Sequence, residues 1–174
     1  MKNQKLEQKL SDEVMAFIGN RKSLHLASIA PAGEPYASYA PFAIGDECLY
    51  VLLSEIALHA VNLQANPRAS VLIVEDEDSA PELFARIRVN YSVQAELIAH
   101  GAPDWDVGVA ALVARHGERS KNLSELADFR LFRLKPLGGR YVKGFGRAYQ
   151  LAGNTLAGES IDHLRDGHKK REVA

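Results

Sequence analysis

The segment from Arg86 to Leu97 alternates apolar and polar side chains, and this alternation constrains the fold more than any other feature of the chain. The apolar positions are Ile87, Val89, Tyr91, Val93 and Ala95, and the polar positions are Arg88, Asn90, Ser92, Gln94 and Glu96. A period of two residues is that of a β-strand whose two faces meet different surroundings. We therefore expect one face to pack on a core and the other to meet water, a ligand or a partner chain.

The rest of the chain predicts more strands, with short helices between them. Apolar residues at helical spacing indicate helices over 5–19 and 103–116, and Ser54 is a suitable N-cap for a third helix over 55–65. Apolar β-prone runs bounded by turn residues predict the other strands, which are 23–30, 36–44, 48–53, 69–74, 129–134 and 140–150. The predicted fold is mainly β (α+β), a partly open antiparallel barrel of six to seven strands with short flanking helices.

The length of 174 residues predicts one domain over 1–174. An N-terminal helix is expected within 1–20, and a C-terminal tail over 153–174. Hydrophobic residues make up 47% of the chain, which is enough for a core without disulfide staples.

Charge and cysteine usage limit the partners and the compartment. A formal net charge of −1 does not fit a general nucleic-acid binder, which neutralises phosphates with a basic surface. No apolar run approaches the roughly 18–20 residues that cross a bilayer, so we expect no membrane insertion. The single cysteine, Cys48, excludes an intrachain disulfide and fits a reducing compartment. We expect a cytoplasmic protein.

Common enzyme signatures are missing from the sequence. It has no Walker loop, no G-x-S-x-G elbow, no H-E-x-x-H motif and no cysteine cluster. The sequence GFGR at 144–147 lacks the third glycine of a dinucleotide fingerprint and does not open a helix. Glycines within a strand more often mark a close approach by a neighbouring chain or a flat ligand.

Three of the six histidines are candidate ligands. His163 and His168 lie five residues apart near the C-terminus, and Gly167 gives the backbone freedom to direct the second imidazole. Such an imidazole is either part of a solvated tail or a ligand for a metal or a haem iron. His59 shares a helix face with Ile56 and Leu63, so it is either a hydrogen-bonded, partly buried residue or a ligand-facing one.

Arg88 and Asp128 are candidates of a different kind. Arg88 lies on the polar face of the alternating strand, where it is either exposed to solvent or meets an anionic ligand group or an iron-bound oxygen. Asp128 precedes the strand that begins at Phe129. It is either a turn residue or the carboxylate that orients a metal-bound imidazole through its second nitrogen.

Several segments resemble a known family. The segment LSEIALHAVNLQANP at 53–67, with SYAPF at 38–42, resembles the split β-barrel of pyridoxamine-phosphate-oxidase-like flavoproteins. More narrowly, the chain is similar to the HutZ/HugZ group of bacterial haem-utilisation proteins, which bind and degrade haem. That similarity lies in DFRLFRL at 128–134, VKGFGRAYQ at 142–150 and HLRDGHK at 163–169.

The resemblance implies a homodimer that holds haem at the subunit boundary and degrades it oxidatively to an open tetrapyrrole, with iron release. Such a reaction needs an electron donor, which the sequence does not identify. By the same resemblance, His168 ligates the iron and Asp128 of the other subunit accepts a hydrogen bond from this ligand. Arg88 corresponds to a basic residue near the haem, His59 to a family histidine, and His163 is a rival ligand.

Two other functions stay open. One is an FMN-dependent oxidoreductase on the same barrel, although FMN-binding relatives usually carry Ser-Arg-Lys where this chain has Leu58 and His59. Two missing cations remove charge-assisted contacts worth about 1.5–3 kcal/mol each. The other is a haem storage or chaperone protein that has the same ligand and no turnover.

Overall fold

The computed structural model of the chain describes residues 3–165 and 167–172. Within them the backbone forms four α-helices, nine strands and a 3₁₀ turn at Leu83–Ala85. The helices are α1 Gln4–Gly19, α2 Leu58–Ala65, α3 Pro103–His116 and α4 Glu118–Ser124. The strands are β1 Ser23–Ile29, β2 Pro35–Pro41, β3 Ala43–Gly45, β4 Cys48–Ser54, β5 Arg68–Val74, β6 Arg88–Ile98, β7 Phe129–Val142, β8 Ala148–Ala152 and β9 Ser160–Leu164.

A single residue joins the two ends of the sheet. The strands lie in the order β2-β1-β5-β6-β7-β4-β3. The terminal strands β2 and β3 are consecutive in the chain, and only Phe42 separates them. The sheet must therefore curl until its two ends meet. Phe42 is buried at this corner, and its backbone N–H donates to the Lys22 carbonyl oxygen at 3.1 Å.

The sheet divides along β7, whose 14 residues make it longer than its neighbours β4 and β8. One edge of β7 pairs with β6 over most of its length. The other edge pairs with β4 from Phe129 to Leu134 and with β8 from Gly139 to Val142. The β8–β9 hairpin therefore branches from the barrel next to the C-terminal half of β7.

The core fills the barrel on the apolar side of β6. Val89, Tyr91 and Val93 are buried there, while Asn90, Ser92 and Gln94 on the other face of β6 are exposed. Helix α1 adds Leu10, Val14 and Ile18 to this cluster. A second cluster forms where Trp105, Val109 and Leu112 of α3 pack against Tyr50 and Leu131.

The predicted fold class is confirmed: the protein is a mainly β, antiparallel, barrel-like sheet with short helices around it. The alternating strand is confirmed in position and in the sidedness of its burial. The helix predicted over 103–116 has the expected bounds.

Three predicted boundaries are wrong. The predicted strand 36–44 is two strands, because the chain changes sheet edge at Phe42. The predicted strands 129–134 and 140–150 are not separated at 135–139, because β7 continues through those residues to Val142. The predicted strand 140–150 is itself divided, because β7 ends at Val142 and β8 begins at Ala148. The structure also adds α4 and β9 to the prediction, and His163 lies within β9 rather than on an irregular tail.

The predicted N-cap role of Ser54 is wrong as well. Helix α2 begins at Leu58, and Ala57 precedes it without a side-chain cap. The Ser54 hydroxyl instead donates to Asp128 Oδ2 at 2.7 Å. Ser54 is the last residue of β4, and three residues separate it from the helix.

None of the described helices has the length and apolar character needed to span a membrane. Of the tail sequence HLRDGHK, Asp166 lies outside the described residues.

We predict that Gly139→Ala destabilises the protein by roughly 1–3 kcal/mol, the usual penalty of an overpacked core. A Cβ at this position would lie 2.5 Å from the Asn90 carbonyl oxygen and 2.8 Å from Tyr91 Cδ1, so the β6–β7 pair would have to move apart. Urea unfolding monitored by circular dichroism measures the loss.

Gly19→Ala is the matched control, because a Cβ at Gly19 has nothing within 4 Å. That variant should be at least as stable as the wild type, because Gly19 ends helix α1 and alanine has the higher helix propensity. Equal unfolding midpoints for Gly139→Ala and the wild type would contradict the close approach at β7.

Candidate functional site

A cavity of about 720 Å³ lies on the polar face of the sheet where β5, β6 and β7 run side by side. We call it cavity A. In the strand register, Leu72, Asn90 and Arg140 form one row across its floor. Arg88 pairs with Val142 in the next row. The side of β6 that was expected to meet water, a ligand or a partner therefore faces a cavity.

The walls of cavity A come from the segments around the β8–β9 hairpin. Phe145 lies in the turn between β7 and β8, and Leu164 ends β9. Phe84 of the 3₁₀ turn stands at another side and is 89% exposed. These side chains give the cavity apolar walls with aromatic rings, which suit a flat and largely apolar ligand.

His168 lines cavity A. Its ring meets the Phe145 ring edge to face, with the ring centroids 5.9 Å apart. The imidazole is exposed, so its nitrogens remain accessible to a ligand within the cavity.

The polar lining of cavity A is cationic. Arg88 and Arg140 contribute guanidinium groups, and no aspartate or glutamate occurs among the described residues that line the cavity. The Arg88 guanidinium is held by a hydrogen bond from Nη1 to the Arg86 carbonyl oxygen, 2.9 Å long. Arg140 was not among the predicted site residues, because the β6–β7 pairing that places it opposite Asn90 is not visible in the sequence of either strand alone.

His163 does not line cavity A but supports its wall. Its Nε2 donates to the Gly146 carbonyl oxygen at 2.9 Å, and its ring stacks on Tyr149 with centroids 5.0 Å apart. The imidazole thus anchors the turn that carries Phe145, and Phe145 contacts His168.

A second cavity, of about 420 Å³, lies between β2, β4, α2, α3 and α4. We call it cavity B. Ser54, His59, His116 and Arg119 give it polar groups, and its other lining residues are mostly apolar.

His59 is half-buried at cavity B, and its Nδ1 lies 2.9 Å from the Ser38 hydroxyl oxygen. Burial lowers the pKa of His59 below its usual range, because desolvation penalises the charged imidazolium. The ring is therefore neutral at neutral pH and adds no positive charge to the cavity.

Asp128 lies beside cavity B rather than cavity A. Its Oδ2 accepts from Ser54, and its backbone carbonyl accepts from the Glu55 N–H at 2.6 Å. Asp128 immediately precedes the first residue of β7, whereas Val142 at the opposite end of β7 lines cavity A. At ~3.3 Å per residue the two ends of this strand are on the order of 40 Å apart along its path.

The chain thus brings together some of the predicted site residues and separates others. Arg88 and His168 share cavity A. His59 lines cavity B, with Asp128 next to it. His163 lines neither cavity, and its hydrogen bond to Gly146 supports the wall of cavity A.

The chain matches the pyridoxamine 5′-phosphate oxidase family over residues 10–143. It is 42% identical over 170 residues to the heme oxygenase HutZ of Vibrio cholerae, and the alignment covers 98% of this chain and 96% of the relative.

Solved structures agree with this match. The structure of HutZ, described as a heme storage protein from Vibrio cholerae, has a TM-score of 0.74 and 40% identity, and the alignment covers 78% of this chain and 96% of that one. Campylobacter jejuni ChuZ has a TM-score of 0.84 and 28% identity, with 95% of this chain and 67% of the other covered.

The depressed pKa of His59 predicts a pH dependence of stability. Because the folded state holds the imidazole neutral, protonation favours the unfolded state as the pH falls below about 6.5. We expect the free energy of unfolding to decrease between pH 7.5 and pH 5.5, and His59→Gln to make that decrease smaller. Urea titrations at three pH values measure both slopes.

His25→Gln is the control, since it removes a histidine from an exposed strand position. His25→Gln should retain more of the pH dependence of the free energy of unfolding than His59→Gln does. If His59→Gln keeps the full wild-type slope, the burial argument for His59 is wrong.

Proposed function

The chain belongs to the pyridoxamine 5′-phosphate oxidase family, in the group that includes Vibrio cholerae HutZ, and we propose that it binds haem and degrades it oxidatively. The products are an open tetrapyrrole and free iron, in the service of haem-iron utilisation. One observation carries the proposal: His168 and Arg88, distant in sequence, line the same cavity.

Cavity A fits haem by size and by chemistry. Its volume of about 720 Å³ is within the roughly 300–1,000 Å³ of small-molecule and cofactor pockets. Haem is flat and apolar over most of its area, with two carboxylates at one edge and an iron at its centre. Phe84, Phe145 and Leu164 match the apolar area, the cationic polar lining matches the negative charge of haem, and His168 offers a nitrogen to the iron.

In this proposal His168 is the iron ligand and Arg88 is the cation held close to the reacting region. Haem supplies the redox-active iron and is itself the substrate that is oxidised. The hydrogen bond to the Arg86 carbonyl oxygen fixes the Arg88 guanidinium, so its charge is positioned before the substrate arrives. His163 is a positioning residue rather than the ligand, because its ring is already engaged with Gly146 and Tyr149.

Asp128 joins this site from a second copy of the chain. Strand β7 keeps Asp128 and cavity A of one chain apart, so a contact between Asp128 and His168 needs a dimer in which cavity B of one subunit faces cavity A of the other. A carboxylate on the second nitrogen of the imidazole orients the ring and makes it a stronger donor. His59, at cavity B, then lies near the subunit boundary.

Exposed apolar side chains around cavity B support such a dimer. Tyr39 of β2 is 65% exposed, and Ile56, just before α2, is 83% exposed. Leu58 and Val61 of α2 are exposed as well. Large apolar side chains grouped on one surface are typical of a protein interface.

The cell compartment and the redox partner are also part of the proposal. Cys48 is buried and unpaired, which suits a reducing compartment, and we assign the protein to the cytoplasm. Oxidative ring opening takes oxygen from dioxygen and also consumes electrons, so an electron donor of unknown identity acts with the protein.

A haem store without turnover is the second candidate, because a solved structure of the Vibrio cholerae relative is described as that of a heme storage protein. FMN is the third. Leu58 and His59 stand where FMN-binding relatives usually have cations, and of these two only the neutral His59 lines cavity B. Arg119 of α4 is the arginine that lines this cavity.

We predict that haem added to the purified protein produces a sharp Soret band, and that His168→Ala abolishes it because the iron loses its protein ligand. Absorption titration measures both. Ascorbate under air should then bleach the band of the wild type, whereas a haem store would keep it.

His163→Ala is the matched control. It should retain a Soret band, with weaker haem binding because the Phe145 turn loses an anchor. An unchanged spectrum in His168→Ala would exclude this residue as the ligand. Flavin absorption released from the isolated protein on denaturation would favour the FMN alternative.

A mixed dimer tests the origin of Asp128. Loss of such a carboxylate partner typically costs 10–100-fold in metal affinity, so we expect Asp128→Asn homodimers to bind haem about tenfold more weakly than the wild type. A heterodimer of Asp128→Asn and His168→Ala chains should regain one tight haem site per dimer, because one boundary then has both native residues. Haem titration of the heterodimer, isolated through two affinity tags, counts these sites.

If Asp128 acted within its own chain, each site of the heterodimer would lack one residue. The absence of any tight site in the heterodimer would therefore contradict the proposed assembly. A wild-type heterodimer carrying the same two tags is the reference for two sites.

A further inference from the structure

The floor of cavity A contains a cation that the proposed iron ligation does not use. Arg140 lies on the exposed side of β7, directly opposite Asn90 in the β6–β7 register. Arg88 lies diagonally from it, one row away, with Cα atoms about 7–8 Å apart in such a pair. The two guanidinium groups thus lie on the same face of the sheet and line the same cavity.

Arg140 differs from Arg88 in having no partner within the described part of the chain. Arg88 donates to the Arg86 carbonyl oxygen, whereas no hydrogen bond or ion pair to the Arg140 side chain occurs among residues 3–165 and 167–172. Arg133 shows what a paired arginine looks like in this sheet, since it meets both Glu96 and Asp104.

Acidic side chains are kept away from Arg140 in the cavity. Arg140 of β7 pairs with Gln150 of β8, and Gln150 pairs in turn with Asp162 of β9. Asp162 is two strands away and does not line cavity A. An unpaired guanidinium beside the Asn90 amide, in a cavity without acids, is a receptor for a carboxylate.

We propose that Arg140, assisted by Asn90, binds a carboxylate of the haem and so holds the carboxylate edge of the macrocycle on the floor of cavity A. The inference rests on the proposed function and adds a recognition subsite to it. Arg140 then selects porphyrins that carry free carboxylates, while His168 recognises the iron independently of them.

The test compares two ligands and several proteins. Iron(III) protoporphyrin IX and its dimethyl ester are titrated in the same mixed aqueous–dimethyl sulfoxide buffer into wild type, Arg140→Gln, Arg140→Lys and Arg68→Gln. Arg68 is exposed on β5 and does not line cavity A, so Arg68→Gln makes the same charge change outside the site. A melting curve for each variant establishes that it folds.

We expect the wild type to bind the free acid about tenfold more tightly than the ester, a typical effect of one exposed charge-assisted contact. Arg140→Gln should lose about tenfold for the free acid and almost nothing for the ester, with the Soret position unchanged. Arg140→Lys should recover part of the preference, since it keeps the charge but not the forked geometry. Arg68→Gln should behave as the wild type.

If Arg140→Gln kept the wild-type preference for the free acid, the carboxylate subsite would be overturned. The proposal that the protein binds haem would be unaffected by that result. Equal binding of the acid and the ester by the wild type would overturn it too. If the wild type bound neither porphyrin, the proposed function itself would fail, and the two failures are therefore distinguishable.

Discussion

The continuity of β7 is the constraint on which the rest of the structure depends. Its 14 residues pair with β6 on one edge, and with β4 and then β8 on the other. A continuous strand cannot bring its own two ends together. Cavity B near Phe129 and cavity A near Val142 therefore belong to separate surfaces of one chain, and a site that uses both needs two chains.

Elements with a strong local signal could be predicted from the sequence, and those set by contacts distant in sequence could not. The alternation of β6 and the start of α3 at Pro103 are readable in a short window. In β7, Pro136 and Gly139 resemble turn residues. Pro136 lies next to an irregularity in the β6–β7 register, where the strand tolerates a proline. Gly139 lies where the Asn90 carbonyl oxygen is too close for a Cβ.

The prediction of the site had the same limit. Arg140 lies in a predicted strand, but its place beside Asn90 and Arg88 depends on the β6–β7 register, which no short window of sequence contains. Arg88 itself was recognised because its own strand alternates, and His168 because of its family resemblance. The hydrogen bond from Ser54 to Asp128 joins residues 74 positions apart, so no local sequence pattern predicts it.

The distribution of charge links the proposed site to assembly. Within the described residues, a single chain has a cationic cavity A, and the carboxylate proposed to orient His168 lies beside cavity B. In the proposed site, Arg140 and His168 of one chain bind haem, and Asp128 of the partner subunit orients His168, so haem would bind the dimer more tightly than the separate chains. By the same linkage haem would stabilise the dimer. If the site is shared in this way, one coupling free energy would appear both in haem binding and in subunit association, because β7 keeps the two parts of the proposed site on separate surfaces of each chain.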